Sequence, residues 1–223
     1  MSSESHDHTI LTREILRWNH QINLVSRVDT ARTLNGLVEH CVAGWALLAQ
    51  HLIGEPGFSE CLYVDLGSGG GLPGLVWATS RYEAGHGGLN CFVEPRDKRA
   101  WFLQRVAREL QLDNVVVQAA RWGDERLPEL PKGADKVLIS MKALRLTDAQ
   151  VLAGYESSRT GDLLPSEVMV VRFMESDEST LASLEGVFVE KGSHSGWCHK
   201  STDILGSDNP RLLLTRYGRQ DRA

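Results

Sequence analysis

Apolar residues recur along the first quarter of the chain at spacings of three and four. Leu11, Ile15, Trp18 and Ile22 fall on one face of a helix over 10–24. Leu34, Leu37, Val38, Cys41, Trp45, Leu48 and Leu52 repeat the pattern over 31–52. Together they predict an N-terminal helical cap. EPGFSE, at 55–60, reads as the loop that closes it.

After that loop the rhythm changes. Apolar runs of strand length appear at 61–66, 89–94, 114–118, 136–141 and 167–173. Helical segments fall between them at 73–80, 96–111 and 146–156. In the middle helix Ala100, Leu103, Val106, Ala107 and Leu110 make the apolar stripe. Short strands alternating with longer helices predict βαβ units, hence an α/β fold with a mostly parallel sheet. Two further apolar runs, 187–191 and 211–217, have no long helix between them and are expected to form an antiparallel hairpin at the sheet edge.

The first strand runs directly into VDLGSGGGLPG, residues 64–74, with five glycines in eleven positions. Gly69, Gly71 and Gly74 match the G-x-G-x-x-G spacing of a dinucleotide loop. Gly67, Gly69 and Gly71 also read as G-x-G-x-G behind Asp65, and S-adenosylmethionine is the second ligand such a loop can take. Glu94 ends the next strand and can hold a ribose in either scheme, so spacing leaves both ligands open. Charge favours S-adenosylmethionine. A carboxylate at Asp65 repels a pyrophosphate but attracts a ligand with an ammonium and a sulfonium, directly or through water. The glycines then let the backbone approach the ligand closely, and Pro73 suits the first turn of the following helix.

Composition narrows this picture only slightly. The chain has 223 residues and a net charge of −5, which excludes coating of nucleic acid by bulk charge but not a local basic patch. Lys98, Arg99, Arg105 and Arg108, and Arg211, Arg216, Arg219 and Arg222 in the tail, are candidates for one. No apolar run approaches the roughly 20 residues of a membrane span, and the N-terminus lacks the apolar core of a secretory signal. A cytoplasmic location is expected. Cys61 and Cys91 sit in apolar runs as expected buried thiols. His194, Cys198 and His199 lack a fourth ligand in register, and no metal is assigned.

Several segments together resemble one family. Trp18, Asn19, Asn23 and Leu24 fit a W-N-x-x-x-N-L signature, and DLGSGGGLPG fits D-x-G-x-G-x-G-L-P-G. Glu94, Lys98, Arg99, Phe102, Leu103, Glu109, Leu110, Leu112, Asn114 and Val115 fit the run that follows. Over roughly residues 14 to 175 the chain resembles the bacterial 16S rRNA guanine-N7 methyltransferases, the glucose-inhibited division protein B family. The resemblance implies a class I S-adenosylmethionine-dependent methyltransferase, a Rossmann-like α/β fold. It also implies a division into an N-terminal helical extension, 1–58, and a methyltransferase domain, 59–223.

For the cofactor, it implies that Asp65, Gly67, Ser68, Gly69, Gly71 and Leu72 line the methionine side. Glu94 then takes the ribose, and Ala120 and Arg121 the adenine. The implied partner is small-subunit rRNA or the ribosomal subunit, met by a monomer.

The chain departs from the family at several positions. Glu39-His40-Cys41-Val42-Ala43-Gly44 stands where the family has R-H-x-x-D-S, and only His40 is kept. His40 is expected to be structural rather than a base. Met141-Lys142-Ala143 replaces S-R-A, Pro165-Ser166-Glu167 replaces P-G-G, and Arg172-Phe173 replaces K-G. Lysine for arginine keeps the charge and loses the bidentate fork.

Methylation of guanine N7 removes no proton and needs no general base. Lys142 and Arg172, at the carboxyl ends of the fourth and fifth strands, are the expected contacts to guanine O6 or to phosphate. Two alternatives share the same cofactor loop: a methyltransferase acting on another RNA or a small molecule, and a non-catalytic S-adenosylmethionine-binding relative.

Overall fold

The computed structural model describes residues 6–26, 30–160, 164–174, 193–194, 196–207 and 209–219. Helices α1 (His6–Ile22) and α2 (Thr30–His51) precede β1 (Leu62–Leu66). Then follow α3 (Gly74–Glu83), β2 (Asn90–Val93), α4 (Asp97–Glu109), β3 (Val115–Gln118) and β4 (Lys136–Met141). The described chain ends with α5 (Asp148–Ser158), β5 (Glu167–Met174), β6 (Ser193–His194), β7 (Trp197–Leu205) and β8 (Arg211–Arg219). One sheet runs β3-β2-β1-β4-β5-β8-β7-β6. Its first five strands are parallel and the last three join antiparallel.

The central strands are buried on both sides, which is why they read as unbroken apolar runs rather than as alternating ones. Tyr63, Phe92, Leu138, Met169 and Val171 face α2, α3 and α4. Leu62, Val64, Ile139, Met141 and Val170 face α5 and the segment carrying Leu127 and Leu130. The apolar stripes of α1 and α2 belong to the first of these layers, so one core runs unbroken from the N-terminal helices to the sheet. Helix α5 begins at a capping box: the Thr147 hydroxyl accepts from the Gln150 N–H while the Gln150 side chain accepts from the Thr147 N–H.

The C-terminal expectation needs correction. Residues 187–191 lie outside the described residues. The hairpin partner of β8 is β7, and β8 lies inside the sheet between β5 and β7. Strand β7 escapes the sequence reading because WCHKSTDIL buries only its two end residues and its middle is polar. Strand β8, covered on both faces, keeps the apolar run LLL.

Candidate active site

The site forms where β1, β2 and β4 end. Parallel register puts Leu66 beside Val93 and Met141, and Val93 beside Gln118. Gly67, Glu94, Ala120 and Lys142 therefore start the loops along one carboxyl edge, the edge at which open α/β sheets take their ligands. The turn after β1 folds on itself. The Gly71 N–H donates to Ser68 O at 2.7 Å, and the buried Ser68 hydroxyl donates to Asp65 O at 2.9 Å.

Two glycines are needed sterically. Gly71 has φ +83°, and a Cβ there would lie 2.5 Å from Leu75 Cδ1. A Cβ at Gly74 would lie 2.6 Å from Asp65 Oδ2, so the helix start can settle onto the carboxyl only without a side chain.

Glu94 is buried and ties two loops together. Its Oε2 accepts from the Gly69 N–H at 2.9 Å and its Oε1 from the Arg96 N–H at 3.0 Å. A carboxylate offers about four acceptor positions, so capacity remains for a ribose diol. Beyond β3, Ala120 is buried and Arg121 exposed, and Leu72 is half-buried at the edge of the core.

Asp65 lies beneath the loop at 1% exposure. Its Oδ1 accepts from the Ser140 hydroxyl at 2.6 Å, and Ser140 Oγ lies 2.9 Å from the Tyr63 hydroxyl. The Ser140 proton is spent on the carboxylate, so Tyr63 is the donor in that second bond. Oδ2 has no hydrogen-bond partner among the described residues. Burial pushes the Asp65 carboxyl up to about 6; the Ser140 and Ser68 hydroxyls, the Gly74 N–H and the Lys142 charge pull it back only in part. A buried carboxylate with an orphaned oxygen, under a loop stripped of side chains, fits a cationic ligand: the ligand brings the missing countercharge.

Lys142 stands on the same side of the sheet as Asp65. Its Nζ lies 5.6 Å from the Phe173 ring centre and 3.9 Å from Cys41 Sγ. His40 stacks on Phe173 at 5.1 Å, and burial, then Lys142, hold its pKa below the usual histidine range. Burial pushes the Cys41 thiol up to about 12, which keeps it protonated beside the lysine. Phe173 and Cys41 flank Lys142, a neighbourhood the sequence reading did not give them; for Phe173 the period-two alternation of β5, which sends Phe173 and Arg172 to opposite faces, was the available signal.

The same alternation corrects the role expected of Arg172. It sits beside Met141 in register, on the α5 face. There it is ion-paired with buried Asp148 and donates to Leu146 O at 3.1 Å, while the Tyr217 hydroxyl donates to the other Asp148 oxygen at 2.5 Å. Arg172 and Lys142 do not converge, and the guanidinium serves the fold.

Two of the tail arginines are likewise committed. Arg216 bridges Glu55 and Glu167, and Arg219 pairs with Glu156 over Trp197. Arg211 is half-buried in β8, and Arg222 lies outside the described residues. Cys61 and Cys91 are buried thiols as expected, the latter pushed up to about 12 by burial. The side chain of His194 also lies outside the description.

The W-N-x-x-x-N-L segment has a structural account. Asn19 Oδ1 accepts from the Leu24 and Val25 N–H groups at 2.8 and 2.9 Å, and Asn23 takes a left-handed φ of 56°. This closes α1 and turns the chain. The turn then meets the glycine loop: Leu24 packs on Gly70, and Arg99 donates to Asn23 O at 2.5 Å.

Comparison with known proteins places this site in context. A family model described as rRNA small subunit methyltransferase G matches residues 5–143, more than half of the chain. The match takes in the α1 turn, the glycine loop, Glu94 and Lys142, and ends before Arg172. The ribosomal RNA small subunit methyltransferase G of Cereibacter sphaeroides is 38% identical over 140 residues, covering 62% of this chain and 60% of the relative. That of Acidiphilium cryptum is 37% identical over 139 residues, covering 62% and 59%. These matches thus span about three fifths of the relatives' length. Among solved structures, MtNAS in complex with MTA and tNA superposes with a TM-score of 0.58 at 12% identity, covering 96% of this chain and 71% of that one. A mutant of the same protein in complex with S-adenosylmethionine gives 0.57 at 12%, covering 95% and 72%. At that identity the likeness concerns the fold.

Proposed function

The chain belongs to the GidB family, rRNA small subunit methyltransferase G, and on that premise we propose that it methylates guanine N7 in 16S rRNA, with S-adenosylmethionine as donor. The observation that carries the reading is the buried Asp65 carboxyl, held by Ser140 through Oδ1 and without a hydrogen bond at Oδ2, under the Gly67–Gly71 turn that Glu94 clamps. A phosphate-bearing dinucleotide would meet repulsion there; a cationic cofactor meets attraction.

When bound, S-adenosylmethionine supplies a methyl group on a positively charged sulfur. The protein's residues bind and orient. Gly67, Gly69 and Gly71 expose backbone to the ligand, with Ser68 and Leu72 completing the methionine end. Asp65 provides negative charge from below. Glu94 accepts ribose hydroxyls on the lone pairs that Gly69 and Arg96 leave free, and the Ala120–Arg121 turn borders the adenine.

Guanine N7 carries a lone pair and no proton. The enzyme's task is therefore to hold the base in line, not to deprotonate it. Lys142 is the positioning cation on the substrate side, donating to guanine O6 or to a phosphate. The helical extension, 1–58, contributes the turn that supports the loop, and 59–223 forms the methyltransferase domain. No helix among the described residues is long and apolar enough to cross a membrane; action on a ribosomal substrate is what supports a cytoplasmic location.

The test is transfer of labelled methyl from S-adenosylmethionine to small ribosomal subunits from a strain without its own enzyme of this family, followed by digestion to nucleosides. Label is expected in 7-methylguanosine of 16S rRNA. Label in another nucleoside, or none despite cofactor binding, would overturn the reading.

A further inference from the structure

An aromatic groove lies between α1 and α4, next to the glycine loop. Trp18, Gln21, Ile22, Asp97, Lys98 and Trp101 line a cavity of about 340 Å³. Trp101 meets Trp18 edge to face, with ring centres 4.9 Å apart, and remains 45% exposed. A tryptophan this open usually marks a contact rather than a core position.

The charge around it is unlike that of the whole chain. Lys98, Trp101, Arg105 and Arg108 form one stripe of α4, spaced by three, four and three residues. Arg13 and Arg17 reach in from α1. Lys98 and Asp97 line the groove itself; on the same two helices Arg13, Arg17 and Arg105 pair with Glu14 and Glu109, Glu14 being buried among them, and Arg108 continues the stripe of α4. The patch is basic on a protein whose net charge is −5.

The groove also connects to the candidate active site. Arg99, adjacent to Lys98, reaches Asn23 O, and its guanidinium passes 3.7 Å from where a Gly69 Cβ would stand.

We propose that this groove takes an unpaired nucleotide of the rRNA substrate flanking the target guanine, its base stacked at Trp101 and its phosphate held by Lys98. The proposal rests on the rRNA reading above and names where that substrate is gripped. An exposed indole supplies the sequence-tolerant stacking surface that single-stranded RNA uses. The cations supply phosphate contacts, and Gln21 and Asp97 supply polar edges that a purely apolar peptide would leave unpaired.

The test compares wild type, Trp101→Ala, Trp101→Phe and Lys98→Ala on small ribosomal subunits, measuring KM, kcat and the cofactor Kd. A base–aromatic stack is worth about 5- to 150-fold in affinity. Trp101→Ala is therefore expected to raise KM for the subunit by that factor, with kcat and the cofactor Kd retained; Trp101→Phe keeps most of the affinity. Lys98→Ala raises KM as well and carries the test if Trp101→Ala fails to fold.

Ultraviolet cross-linking of wild type to the subunit, followed by nuclease and trypsin, should leave a nucleotide on the peptide 100–105. Unchanged KM in the folded variants overturns the inference. So does a cross-link from that peptide to ribosomal protein only. If wild type transfers no methyl to rRNA, the functional reading falls first and this inference with it. If wild type is active and the variants match it, only the groove assignment fails.

Discussion

Replacing Asp65 with asparagine isolates the electrostatics of the candidate active site. The carboxyl is fully buried, and its pKa rises from the ordinary 3.8 to about 6. Between those values the folded protein binds a proton that the unfolded chain has released, so stability falls as pH rises through this window. This group's contribution is most favourable below about pH 3.8, and the loss is complete above about 6. At about 1.36 kcal/mol per pH unit, the buried charge costs roughly 3 kcal/mol at neutral pH. Asparagine preserves the acceptor for the Ser140 hydroxyl and removes the charge.

The assay is urea unfolding of both proteins, free of ligand, at about pH 4 and about pH 7.5. All other titrating groups are common to the two proteins and cancel in the difference. Relative stability should shift toward Asp65→Asn by roughly 2–3 kcal/mol between those pH values. The variant should bind S-adenosylmethionine more weakly, and wild-type affinity should strengthen as pH rises through about 6. A stability difference that stays constant across the range would refute the burial argument, because the carboxyl would then be titrating as it does in the unfolded chain.

Other residues give separate checks. Arg172→Ala should lose about 3–5 kcal/mol of stability, since it strands buried Asp148; a variant of normal stability with selectively reduced methyl transfer would restore a substrate role to Arg172. Gly71→Ala forces a side chain onto a φ of +83° and into Leu75. It should cost at least about 1–2 kcal/mol and weaken cofactor binding, as read by calorimetry. Asn19→Ala leaves the Leu24 and Val25 N–H groups without their acceptor. A loss of about 1–3 kcal/mol with reduced cofactor affinity is expected, and unchanged affinity would mean that the turn does not support the loop. Glu55 is held below its ordinary 4.5, first by hydrogen bonds from Arg216. Its stabilisation is therefore present above about pH 4.5 and lost as pH falls below it, so Glu55→Gln should lower stability at neutral pH and flatten the acid limb of the unfolding profile.

The sequence by itself determined the parallel half of this protein. β1, β2, β4 and β5 and α3 to α5 are legible because a strand buried on both faces must be apolar throughout, and a helix packed on a sheet must be apolar every three or four residues; the edge strand β3 is legible from its β-branched run Val115-Val116-Val117 although it is only half-buried. The glycine loop and Glu94 were legible for a related reason. A backbone turn that approaches a ligand needs glycine locally, and a strand-end acid is a local feature.

Contacts between residues distant in sequence were not legible. Whether Asp65 is solvated or buried depends on Ser140 and Tyr63 closing over it. Whether Arg172 or Phe173 faces the site depends on the register of β5 against β4, where one residue exchanges the two faces. Strand β7 is polar through its middle and carries no apolar signal of its own; β8 recruits it through backbone hydrogen bonds. The groove at Trp101 exists only because the α1 turn, held by Asn19, docks on α4. Local physics is written residue by residue, while burial, pairing and charge environment are properties of the assembled chain.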